Sequence, residues 1–244
     1  MKRFLSITGI LLQSFFLAFG QPKNVHEIKI RLHNMVGNGV LQTDSLYTNY
    51  FDEPFAVKQL KYYIGNLFVI DAVSGKEIKL PETYYLINEK DSASKNITVH
   101  STVSSISGIG FYLGVDSVRN TSGVQTDALD PANGMFWTWS TGYIMAKMEG
   151  ISPLSKAPRN AITYHIGGFS GNNNVVKKII LPMEKSQVLN SKTTPIFHIY
   201  ADINKWFSGK NDIRITTVNF CMNPGELANK IAANYADMFR LEIE

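Results

Sequence analysis

Residues 60–70 read LKYYIGNLFVI. Aromatic Tyr62, Tyr63 and Phe68 are mixed there with β-branched Ile64, Val69 and Ile70, side chains that suit a pleated, half-buried surface. Similar runs recur on both sides. In residues 25–33, Ile28, Ile30 and Leu32 alternate with Lys29, Arg31 and His33, the period-two pattern of a strand with one buried face. Residues 84–87, 97–103, 108–115, 143–149, 161–166, 175–182, 195–201 and 213–218 are further strand candidates. Turn signals separate them, among them Gly37-Asn38-Gly39, Ser74-Gly75, Asn133-Gly134 and Gly167-Gly168. Helix signals are scarce. Asp202 caps a single turn through Phe207. Residues 224–239 form the best helix, opened by Pro224 and carrying Leu227, Ile231, Ala232 and Tyr235 at helical spacing. The expected fold is all-β: an antiparallel β-sandwich with one short C-terminal helix.

The first 20 residues read as a secretory signal peptide. Lys2 and Arg3 precede an apolar stretch from Phe4 to Phe19, and Ala18 and Gly20 are the small residues of a cleavage site. Ser6, Thr8, Gln13 and Ser14 make that stretch too polar for a good membrane span. The expected product is periplasmic or secreted, with no membrane anchor and a single domain over residues 21–244. Removing Lys2 and Arg3 lowers the formal net charge from +4 to +2, and no Lys/Arg run exceeds Lys177-Lys178. That balance argues against nucleic acid as a partner. The single cysteine, Cys221, excludes an internal disulfide, so stability rests on a core drawn from the 44% hydrophobic residues.

Chemistry concentrates in residues 129–150, LDPANGMFWTWSTGYIMAKMEG, and in YHIGG at residues 164–168. Trp137 and Trp139 are two apart, so a strand would point both indoles to one face. His165 follows within reach of a hairpin connection. Paired aromatics beside an imidazole serve a soft-metal or redox site, and they also make an ordinary aromatic core. Met135, Met145 and Met148 nearby read as packing. The five histidines are His26, His33, His100, His165 and His198, and they form no HxH or HExxH spacing. A histidine site would have to be assembled from distant strands. Cys221 lacks a Cys/His motif and reads as a buried, inert thiol. Asp130-Pro131-Ala132-Asn133-Gly134 reads as a tight turn feeding the tryptophan strand. There is no phosphate loop and no GxSxG elbow, so no enzymatic reaction is expected.

Several blocks, taken in order, resemble the MbnP-like family of exported proteins. They include Leu32-His33-Asn34-Met35-Val36-Gly37, residues 60–67, residues 110–117, Gly134-Met135-Phe136-Trp137-Thr138-Trp139, Lys147-Met148-Glu149-Gly150 and His165-Ile166-Gly167-Gly168. The resemblance extends over nearly the whole mature chain and is nearest to the branch found in Bacteroidetes-type bacteria. It implies a periplasmic or secreted copper-binding protein, related to proteins associated with methanobactin and methane-oxidiser copper handling. In those relatives a tryptophan is oxidised to kynurenine by a di-haem peroxidase-like partner, and the product joins histidines at copper. The matching residue here is Trp137 or Trp139. His33 and His165 lie inside the matching blocks and rank first as copper ligands, with His198 third. His26 and His100 read as structural. The alternative is a non-catalytic β-sandwich adhesion or binding module for a carbohydrate or surface partner, in which the histidines would be scattered.

Overall fold

The computed structural model describes residues 24–81, 84–138, 141–190 and 194–244; the expected signal peptide and Trp139 lie outside them. The chain opens with β1 (His26–Val36), β2 (Gly39–Val40), β3 (Leu46–Thr48), β4 (Pro54–Asp71), β5 (Glu77–Lys79) and β6 (Tyr84–Asn88). Next come β7 (Asn96–Ser101), β8 (Ser105–Leu113), the short helix α1 (Ser117–Thr121), β9 (Phe136–Thr138), β10 (Gly142–Ile151) and β11 (Ala161–Gly167). The chain closes with β12 (Lys177–Val188), β13 (Ile196–Asp202), β14 (Phe220–Cys221), α2 (Glu226–Tyr235) and β15 (Phe239–Ile243). No helix among the described residues is long and apolar enough to cross a membrane.

The strands form a five-stranded sheet ordered β15-β13-β1-β2, with β7 also on β1, and a ten-stranded sheet ordered β12-β8-β4-β10-β11-β14. The long β4 organises the larger sheet, because β3, β5 and β6 also pair with it. Its residues 60–70 are the aromatic run quoted first. The fold is the expected all-β sandwich, and its sheets are mixed: β1 with β13 and β11 with β14 run parallel, and the other pairs are antiparallel.

Alternation decides which side chains meet between the sheets. Ile28, Ile30 and Leu32 of β1 and Phe197, Ile199 and Ala201 of β13 are buried. The intervening Lys29, Arg31, His33, His198 and Tyr200 therefore face outward. From β4, Leu60 and Tyr62 point inward, and the Tyr62 hydroxyl crosses the sandwich to donate to Asn34 Oδ1 at 2.9 Å. The Tyr62 ring meets Phe239, which also packs edge-on against Phe111 at 5.0 Å. Lys61 and Lys147, opposite each other on β4 and β10, face outward.

Two expectations need correcting. Residues 213–218 are not a strand, although Ile213 and Ile215 alternate and are buried. Their backbone donors go elsewhere: Glu53 Oε2 accepts from Ile215 N at 2.7 Å and Oε1 from Thr216 N at 3.1 Å, while Ile213 N bonds Phe207 O and Thr217 and Val218 N turn back onto Arg214 O. Asn49 Nδ2 and Thr216 Oγ1 also donate to the Glu53 carboxylate. Burial pushes the Glu53 carboxyl up, and these hydrogen bonds outweigh it to leave the group below the ordinary range. Truncating Glu53 would strand buried donors at about 1–3 kcal/mol each.

The second correction concerns the C-terminus. α2 buries Ala228, Ile231, Ala232 and Tyr235 as its helical pattern requires, but it ends at Tyr235 rather than Phe239. Met238 N turns back onto Tyr235 O, and residues 239–243 become β15, pairing with β13 from Phe239↔Ala201 to Phe197↔Ile243.

Candidate functional site

The outer face of the larger sheet is roofed by the segment between α1 and β10. Asp130 caps a single 3₁₀ turn, Pro131–Asn133, by accepting from Ala132 N, and Gly134 closes the turn in the left-handed region at φ 69°. This is the tight turn read from the sequence. Two lysines rising from the sheet hold it. Lys61 Nζ donates to Asn133 O at 2.9 Å, and Lys147 Nζ donates to Gly134 O at 2.8 Å. Tyr143 OH adds a bond to Leu129 O at 2.6 Å, and Ile144 N bonds Met135 O. Beneath the roof, Tyr143 packs edge-on against both Tyr63 and Phe136.

β9 then carries Trp137 over the next strands. Its indole lies against Gly167 of β11, where a Cβ would come within 2.5 Å of the ring. Gly167 therefore leaves the space that the indole occupies. His165 is two residues back on β11, so it points to the same side of the strand. In register across the sheet run Asn88, Lys61, Lys147 and His165.

His165 is 7% exposed. Its Nε2 lies 2.7 Å from Glu149 Oε1, and because a carboxylate only accepts, Nε2 carries the ring proton. Burial lowers the His165 pKa, assisted by Lys147 and opposed by Glu149, so the ring is neutral at pH 7. Its Nδ1 is then a bare lone pair. That atom and Trp137 Nε1 are both buried without a hydrogen-bond partner. Five other buried polar atoms among the described residues are likewise unpaired, Tyr63 OH beneath the roof among them, so what marks this pair is its shared side of the sheet.

His33 and His198 lie elsewhere. The parallel register of β1 and β13 brings them together on the outer face of the five-stranded sheet, with His33 Nε2 2.8 Å from His198 Nδ1. His33 stacks on Tyr200 at 4.8 Å, and Arg240 covers Tyr200 at 4.1 Å. His198 Nε2 is 3.1 Å from a Glu244 oxygen. Burial lowers the His33 pKa, reinforced by His198, Lys95 and Arg31.

The structure thus joins His33 to His198 and sets His165 on the opposite outer face, across a core about 10 Å thick. His33 and His165, ranked together from the sequence, do not share a site. Neither wholly scattered nor wholly convergent histidines describe the molecule. No group of three or more His, Cys, Asp or Glu side chains suited to a metal comes together among the described residues. His26 is buried at the start of β1, His100 is exposed on β7, and Cys221 is buried with its thiol pushed up by burial. Sequence reasoning placed Lys61, Lys147 and Glu149 inside matching blocks but gave them no part in the site. The available signal was two charged residues, 147 and 149, interrupting the apolar run of β10 at period two.

Comparison with known proteins bears on the fold and the family. No curated protein matches the chain. Among solved structures it is similar to MbnP from Methylosinus trichosporium, with a TM-score of 0.54 and 13% identity over 84% of this chain and 83% of that one. That likeness is one of fold. The family model for MbnP matches residues 25–223, most of the chain, including all of the roof, the tryptophan block and the three candidate histidines. The chain belongs to the MbnP family.

Proposed function

We propose that this is an exported, non-catalytic copper-binding protein whose copper is held on the roofed face, by His165 together with an oxidised Trp137. One observation carries the proposal: His165 Nδ1 and Trp137 Nε1 are buried and unpartnered on the same side of the sheet. Glu149 holds His165 as metal-bound histidines are commonly held, by accepting from the far ring nitrogen and leaving the near one free. A neutral imidazole is a good donor to copper(I). When bound, copper would fill the partner position that Nδ1 lacks.

The oxidation of Trp137 would be a post-translational step. Cleavage of the indole C2–C3 bond with one oxygen atom added to each carbon, supplied by two molecules of hydrogen peroxide that are reduced to water, gives N-formylkynurenine. Hydrolysis then releases formate. Nε1 becomes an aniline amine and C3 a ketone, and both groups can serve as donors. A di-haem peroxidase-like partner is the proposed catalyst, by family resemblance. The roof's exposed outer side would let such an enzyme approach.

An intact-mass spectrum and peptide map of the exported protein, purified from its host and loaded with copper, test the proposal. The expected result is one bound copper and the tryptophan-to-kynurenine mass change at Trp137. Copper without the mass change would remove the oxidised tryptophan from the site. Absence of both would favour the binding-module alternative.

A further inference from the structure

The outer face of the five-stranded sheet holds an arrangement that a copper site at His165 does not use. We infer that His33 and His198 form a second metal site, for a borderline divalent cation such as Zn2+ rather than for copper(I). The inference does not depend on copper binding at His165, which lies on the opposite side of the sandwich.

The two ring nitrogens already point at each other across 2.8 Å. Glu244 accepts a hydrogen bond from His198 Nε2–H, which leaves Nδ1 as the acceptor, and His33 Nε2 donates to it. A metal at this point replaces the shared proton. The His33 proton moves to its own Nδ1, so neither ring changes charge. Zinc–imidazole bonds of about 2.0–2.1 Å at a tetrahedral angle need the nitrogens about 3.3 Å apart, roughly half an ångström more than observed. Linear copper(I) would need about 4 Å and a larger rotation of both rings. The geometry therefore lies nearer a tetrahedral ion.

The surroundings favour a held pair. Glu244 stands behind His198 as the carboxylate that fixes its tautomer, the common support of a metal-bound histidine. Tyr200 stacks beneath His33 at 4.8 Å, with an interplanar angle of 22°, which limits that ring's rotation. Cationic Arg31 and Lys95 also face His33, while Lys95 is paired with Glu89 and Arg240 with Glu242. Solvent completes the coordination on this open face, since no third protein donor joins the pair among the described residues.

Calorimetric titration of the mature protein with Zn2+ alone tests the site. One Zn2+ per chain is expected, weakened at least tenfold by either His33→Ala or His198→Ala and unchanged by His165→Ala. Glu244→Gln should weaken it several-fold while leaving both ligands in place. Zinc K-edge absorption of the wild-type complex gives a readout independent of how the variants fold, and two imidazole donors are expected. Zn2+ binding undiminished in both single variants, no binding to the wild type, or a spectrum lacking two imidazoles would each overturn the inference.

Discussion

The two outer faces of this sandwich handle their histidines in opposite ways. On the larger sheet, the segment leading into β9 covers the strands, pinned by Lys61 and Lys147. On the smaller sheet the outer side of β1 and β13 is only partly shielded: Lys29 and Arg31 stand exposed, and the His198 side chain keeps 15% exposure. The roofed histidine is dry and neutral, with one nitrogen tied to Glu149 and the other unpaired. The open histidines satisfy each other and Glu244. A roof turns an imidazole into a waiting donor, whereas an open face lets it find partners of its own.

If the roof depends on close packing over β11, crowding that contact should have the largest effect. Gly167→Val places side-chain carbon where the Trp137 ring and the Tyr143 carbonyl already sit, 2.5 and 2.9 Å from a Cβ. It should destabilise the protein by about 3 kcal/mol, the upper end for overpacking. A red shift in tryptophan fluorescence in the folded variant would show the indole displaced. An unchanged denaturation midpoint would mean the roof is loose.

The support of His165 comes next. Glu149→Gln keeps the shape of the contact and removes the charge. It should weaken copper binding about 10–100-fold, the usual effect of losing such a support. The corresponding change on the open face, Glu244→Gln, should leave copper affinity unaltered. A chelator competition assay reads both.

Lys147→Met removes the bond to Gly134 O and should cost about 1 kcal/mol in denaturant unfolding. Lys29→Met, on the open face, should fall within about 0.5 kcal/mol of the wild type. Equal effects would erase the distinction between the faces.

The pH dependence is the smallest effect. His33 and His165 both titrate below the ordinary 6.5 in the folded protein, burial being the first cause in each. The unfolded chain therefore binds more protons between those lowered values and 6.5, and stability falls as the pH drops through that window. Above 6.5 their contribution is complete. His165→Gln and His33→Gln should each flatten the acid limb of stability against pH. A variant whose slope matches the wild type would show that its histidine is not shielded in the fold.

Strands were legible wherever side-chain alternation and burial agreed, as in Ile28, Ile30 and Leu32. They were misread where a distant side chain took over the backbone. Ile213 and Ile215 carry a strand-like pattern, but Glu53, more than 150 positions earlier, accepts the N–H groups of Ile215 and Thr216, and Phe207 O takes that of Ile213. The end of α2 was misplaced because residues 239–243 gain more by pairing with β13 than by continuing a helix. The site was legible in its parts and not in its assembly. Trp137 and His165 lie near each other in sequence, linked by the β9–β10–β11 connection. His33 and His198 are joined only by a parallel pairing with no local signature. Strand parity then sent His33 and His165 outward from different sheets, which no spacing in the chain discloses.

The central claim is that copper belongs to the roofed face. Copper(I) affinity and stoichiometry, measured by anaerobic chelator competition on the wild type, on His165→Ala and on the His33→Ala/His198→Ala double variant, test it directly. The account predicts one copper(I) in the wild type and the double variant, and at least a hundredfold weaker binding in His165→Ala. Full copper binding by His165→Ala, with loss in the double variant, would contradict it and place copper on the open face.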